Sequence, residues 1–173
     1  MKPLAILFAA ALFAAGFAPA HAGQLFKSEE LKFEIQFPTE PQRQTRTQTF
    51  TSGDAQIVRF KAVGEGIRAS MSVVVFARGE FNPQEAAAGI EMSGRQQAAG
   101  MNGEILSQRD LTVNGFAGKE TIIKGKVGEH VVYFRAQTFY AGNRQYVFSV
   151  IERTLEAISE PADGYFSSFK LWK

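Results

Sequence analysis

The stretch EILSQRDLTVNGFAGKETIIKGKVGEHVVYFRAQTFYAGNRQYVFSVIER, residues 104–153, decides the fold. Asn114-Gly115 stands between two alternating runs, and Asn-Gly is the strongest short-range hairpin signal because both residues tolerate positive φ. Val127-Gly128-Glu129 and Ala141-Gly142-Asn143 divide the remainder of the stretch into the runs Phe116 to Lys126, His130 to Tyr140 and Gln145 to Arg153. Four strands on turns this short predict an antiparallel meander.

Working towards the N-terminus, Asn82-Pro83-Gln84-Glu85 reads as a helix start, with Asn at the N-cap, Pro at the first helical position and Glu placed to reach back to the cap. The helix should run to about Gly100, with Ala86, Ile90, Gly94 and Met101 on one face and Glu91 in reach of Arg95. Interior Gly89 and Gly94 each cost roughly 1 kcal/mol relative to alanine, so either the backbone packs closely there or the helix is marginal. Before it lie Leu31 to Phe37, alternating apolar and polar and stopped by Pro38 and Pro41, and a threonine-rich hairpin from Gln44 through Ser52-Gly53-Asp54 to Val63. Its first strand reads as solvent-washed. Ile67 to Ala77 holds the unbroken run Val73-Val74-Val75-Phe76, expected to be covered on both faces.

The C-terminal end turns helical: Ser159 is placed to cap, Pro161 falls in the first turn, and Ala162, Tyr165, Phe166 and Phe169 make an aromatic face. The order strands, helix, strands, helix predicts an α+β fold, an α/β/α sandwich with a central antiparallel sheet, one middle helix and one C-terminal helix. No second domain, repeat or linker interrupts it.

Residues 1–22 read as a secretory signal: Lys2, an apolar run from Leu4 to Phe17, then Ala20-His21-Ala22, with cleavage expected after Ala22. The run is short for a membrane span, which needs about 20 apolar residues, and no membrane span is expected after processing. With no cysteine there is neither a lipid attachment point nor a disulfide. Residues 23–173 are therefore expected to form one periplasmic domain held by hydrophobic burial alone. The chain has 16 phenylalanines, of which Phe8, Phe13 and Phe17 fall in the signal, and most of the rings are read as core.

Charge and composition exclude several functions. Nineteen Lys and Arg against 17 Asp and Glu, without a basic run, give no footprint of nucleic-acid binding. Of two histidines one leaves with the signal, and His130 stands alone beside a turn, so no metal or cofactor site is expected. There is no G-x-S-x-G elbow, no S-x-x-K and no phosphate-binding glycine loop. Glu34, Glu104, Glu120 and Glu129 leave a carboxylate hydrolase as a weak alternative to a non-enzyme.

One feature suggests a site. In the His130 to Tyr140 strand, Val132, Phe134, Ala136, Thr138 and Tyr140 make a core face, while Tyr133, Arg135, Gln137 and Phe139 mix aromatics with a fork donor, as binding surfaces do. The competing reading is that this second face packs under a helix with Arg135 paired to a glutamate.

Leu31-Lys32-Phe33-Glu34-Ile35-Gln36-Phe37-Pro38 with Pro41, Gly115-Phe116-Ala117-Gly118-Lys119-Glu120, Arg144-Gln145-Tyr146-Val147-Phe148 and Phe166-Ser167-Ser168-Phe169-Lys170-Leu171 resemble the PsbP-like superfamily. That group includes the extrinsic photosystem II protein, DcrB-type envelope proteins and a nuclear-transport Ran-binding relative. The resemblance implies an α/β/α sandwich and a non-enzymatic accessory module that binds other proteins, with no catalytic motif to carry over. The expected function is an exported binding or accessory domain contacting another envelope protein. The alternative is a carrier of a small apolar or amphipathic ligand held between sheet and helix.

Overall fold

The computed structural model describes residues 23–50, 53–64 and 66–172. The expected signal and its cleavage site after Ala22 lie outside the described residues.

Ten strands and two α-helices are described: β1 (Gln24–Ser28), β2 (Phe33–Phe37), β3 (Gln42–Phe50), β4 (Gly53–Gly64), β5 (Ile67–Phe76), α1 (Pro83–Gly100), β6 (Glu104–Val113), β7 (Phe116–Val127), β8 (His130–Ala141), β9 (Arg144–Glu152), α2 (Glu160–Ser167) and β10 (Lys170–Leu171), with a short 3-10 turn at Glu156–Ile158 before α2. The meander forms as the turns dictate. Asn114 and Gly115 both take positive φ, +51° and +85°, as a type I′ turn requires.

Two antiparallel meanders, β3-β4-β5 and β6-β7-β8-β9, join through the pairing of β5 with β9 into one seven-stranded sheet of order β3-β4-β5-β9-β8-β7-β6. Helix α1 is the connection that carries the chain from β5 to the far edge. It lies on one face of the sheet, over β6, β7 and β8.

The opposite face is covered differently from expectation. A second sheet of order β1-β2-β10 packs there together with α2. The chain is predominantly β, with antiparallel sheets and two short helices, so two full helical layers around one sheet overstate its helical part. The physical reason is that β1 and β10 are short and lack a clear alternating pattern. Both gain their hydrogen bonds from β2, whose buried Phe33, Ile35 and Phe37 were legible as a strand.

Between the sheets the rings interlock. Phe148 lies 4.2 Å from Phe169 and 5.8 Å from Phe139, and Phe60 lies 4.8 Å from Phe26. Phe33, Phe37, Phe60, Phe139, Tyr146 and Phe148 are each about fully buried. Tyr146 keeps its hydroxyl satisfied by donating to the Leu31 carbonyl at 3.0 Å, and burial pushes its pKa up to about 12.

Helix α1 starts with the capping box expected: the Glu85 amide donates to Asn82 Oδ1 at 2.9 Å and the Asn82 amide to Glu85 Oε2 at 3.0 Å. Its glycines mark close packing. A β-carbon at Gly89 would stand 2.6 Å from the Tyr140 ring, and one at Gly94 would press on Gln108 and Thr121. The helix thereby forgoes propensity for proximity to the sheet. Ile90, Ser93, Gly94 and Ala98 are its buried residues. Glu91 pairs with Lys119 on β7 rather than with Arg95, because its face looks onto the sheet. In α2 the expected aromatic face holds, with Ala162, Tyr165, Phe166 and Phe169 all buried, Phe169 just beyond the helix. Ser159 occupies the N-cap but its hydroxyl donates back to the Leu155 carbonyl at 3.0 Å and caps nothing.

Candidate functional site

Strand β8 places Tyr133, Arg135, Gln137 and Phe139 on the face opposite α1. Register sets Glu120 of β7 opposite Gln137, and Ile122 opposite Arg135. Residues directly opposite share a face, so Glu120 and Arg135 are diagonal neighbours on it. Of the two readings of this face, packing under the C-terminal segment is the one the structure has: Phe139 is 0 % exposed, Gln137 7 % and Arg135 8 %, with Tyr133 half-buried. The 3-10 turn and α2 lie over this face, and the apolar side chains α2 must bury determine that they do.

What lies beneath is an ion-pair network centred on Glu120. Its Oε1 accepts from Arg109 Nε at 2.7 Å, and its Oε2 from Arg135 Nε at 3.0 Å and Gln137 Nε2 at 2.8 Å. Arg135 extends the network to the C-terminal segment. Its Nη1 donates to the carbonyls of Ile158 and Ser159 at 3.3 and 3.4 Å and to Asp163 Oδ1 at 2.6 Å, while the guanidinium lies 4.4 Å above the Phe166 ring. Burial pushes the Glu120 carboxyl up, but hydrogen bonds from Arg109 and Gln137 and the charge of Arg135 outweigh it and hold its pKa below the usual carboxylate value.

Beside the network an open groove of about 420 Å³ runs between β6 and α2, with Leu111 and Val113 on one wall and Phe166 and Phe169 on the other. Its charges are two guanidiniums, Arg109 and Arg135, with Glu120 and Asp163 against them. Arg135 spends its donors inside the protein, so the network is built to fasten the C-terminal segment to the sheet.

Because Glu120 has its folded pKa lowered, the stability it contributes is present above its ordinary value of about 4.5 and is lost as pH falls through the folded value. Denaturant titrations between pH 6 and 3 should show a loss of stability on acidification that Glu120→Gln removes in part. An unaltered pH slope in that variant would contradict the assignment.

The other sequence candidates are dispersed. Glu34 pairs with Lys170 at 2.8 Å; Glu104 and Glu129 are exposed at a strand start and a turn, and His130 is exposed at the start of β8. Among the described residues no group of three or more His, Cys, Asp or Glu could hold a metal ion, and no helix is long and apolar enough to cross a membrane. The rings that could have lined a ligand cavity pack against one another. Glu120 was the residue whose role was hardest to read, although the Val127 to His130 turn fixes its register against Arg135.

The other side of the large sheet is built differently. Helix α1 covers β6 to β8 only, leaving the same face of β3, β4, β5 and β9 without a helix or second sheet from the described residues over it. Register brings Arg46, Arg59, Lys61 and Arg68 onto that face, and none of the residues that these four strands turn to it is acidic.

No protein-family model matches the chain, and no characterised protein matches it. Among solved structures it is similar to PA94 from Pseudomonas aeruginosa, a protein of unknown function, at 14 % identity and a TM-score of 0.40, over 65 % of this chain and 85 % of that one.

Proposed function

We propose that the chain is an exported, non-catalytic binding or accessory domain of the PsbP-like kind that contacts another envelope protein. In this reading it is a form of the α/β/α sandwich, α1 being one outer layer and α2 with the small sheet the other. The observation that carries it is the uncovered basic half of the large sheet. A sheet face with no helix over it, on which Ala55, Ile57 and Val74 are buried at one end while exposed Arg46, Lys61 and Arg68 give it one sign of charge, suits a macromolecular partner; a small ligand needs an enclosing concavity. Export rests on the Met1 to Ala22 pattern.

Site-specific photo-crosslinking in cells tests it. A crosslinker at Gln44 or Gln48, both exposed on β3, should trap a discrete envelope protein, while one at exposed Arg95 on the outer side of α1 should not. The recovered chain should begin at Gly23. Cross-links equal at both places, or a product retaining Met1, would contradict the reading.

A further inference from the structure

Strand β3 is a nine-residue edge strand. Its pairing to β4 runs unbroken from Gln42 opposite Lys61 to Phe50 opposite Gly53, and all its residues are exposed except half-buried Phe50. Its outer row of backbone N–H and C=O groups pairs with no described strand. Edge strands are ordinarily blunted by bulges, prolines or inward charges. The opposite edge, β6, carries a bulge between Ile105 and Ser107; β3 has neither bulge nor proline, and its only charges, Arg43 and Arg46, guard it against basic strands and not acidic ones.

Charge selects what can pair there. Between Arg46 and Arg59 lies a depression of about 210 Å³, lined also by Gln44, Thr45 and Ile57. Arg59 is steadied by donating from Nε to Ser72 Oγ at 3.3 Å. Lys61 and Arg68 extend the positive face, and among the described residues no carboxylate forms an ion pair with any of these four cations.

We infer that β3 receives an extended acidic segment of a partner protein as an added strand, with a carboxylate of that segment seated between Arg46 and Arg59. The inference rests on the reading of the domain as a protein-binding module. Main-chain bonds to the free edge supply affinity that is indifferent to sequence, and the cations supply the choice of an acidic chain. A second copy of this chain is disfavoured, because β3 carries no carboxylate, so β3 against β3 gives Arg46 of either copy no partner of opposite charge, and like charges across a ladder repel.

Two probes decide it: a ten-residue peptide alternating threonine and glutamate, and its counterpart with lysine for glutamate. The acidic peptide should bind the purified protein and slow hydrogen exchange at β3 amides. Arg46→Glu should weaken it by more than about tenfold with an unchanged melting temperature, since a like charge at the contact repels the ligand, and Arg46→Lys should retain most of the binding. Absence of binding, equal binding of the lysine peptide, exchange protection away from β3, or an indifferent Arg46→Glu would overturn the inference. So would dimerisation through β3, or binding of anionic vesicles in place of the peptide with no β3 protection. If cross-links form at Gln44 but the acidic peptide fails to compete, the binding-module reading stands and the added strand falls.

Discussion

Replacing Arg135 by alanine should destabilise the domain by about 3 to 5 kcal/mol, the usual cost of breaking a buried ion pair from one side, and leave the partner affinity of the folded protein unchanged. The guanidinium is the joint between sheet and C-terminal segment: it meets Glu120, two carbonyls, Asp163 and the Phe166 ring. Removing it leaves Glu120, 5 % exposed, with Arg109 and Gln137 alone, and takes a donor from the Ile158 carbonyl, while the Ser159 carbonyl keeps the Ala162 amide at 3.1 Å. Lysine should rescue little, because an ammonium cannot reproduce the planar fork. Chemical denaturation measures the effect. A loss below about 1 kcal/mol would fall in the range of exposed ion pairs, and would mean that the network carries no such weight.

Phe169→Ala should cost a similar amount, about 3 to 5 kcal/mol, a large part of a small domain's stability. Its ring, 3 % exposed, stands among Phe33, Phe139, Tyr146 and Phe148, between the two sheets and at the end of α2. The cavity would open where both layers meet, and backbone on either side is already fixed by strand pairing, so little collapse can fill it. Without disulfides, reductant should leave the melting temperature of both proteins unchanged. An alanine variant that melts with the wild type would mean that the segment after β9 is an exposed tail.

Local chemistry explains what the sequence could and could not reveal. Asn114-Gly115 and Asn82-Pro83-Gln84-Glu85 act through their own backbones, so the hairpin and helix start could be read directly. The alternation of Phe33, Ile35 and Phe37 declared β2 for the same reason. The pairing of β5 with β9 joins residues about 80 positions apart, as Ser70 with Ser149, and no local pattern records it. Lys170–Leu171 is too short to show a period and becomes a strand only because β2 offers an edge.

The site shows the same division. Tyr133, Arg135, Gln137 and Phe139 were correctly placed on one face, because period two is a local property. Whether that face met solvent depended on where α2 docked. The basic face on β3 to β5 could not be assembled from sequence, since Arg46, Arg59, Lys61 and Arg68 come from three strands and are interspersed with neutral residues. Only the register collects them.

If the domain binds through the basic half of its sheet and uses the Arg135 network to hold itself together, affinity and stability separate by mutation. The most direct measurement takes the envelope protein trapped by the Gln44 crosslinker and compares its affinity, alongside melting temperature, for wild type, Arg46→Glu and Arg135→Ala at a temperature where all three are folded. The account predicts that Arg46→Glu loses affinity and keeps its melting temperature, while Arg135→Ala loses melting temperature and keeps affinity. The reverse pattern would contradict it, placing the contact on the groove beside α2 instead.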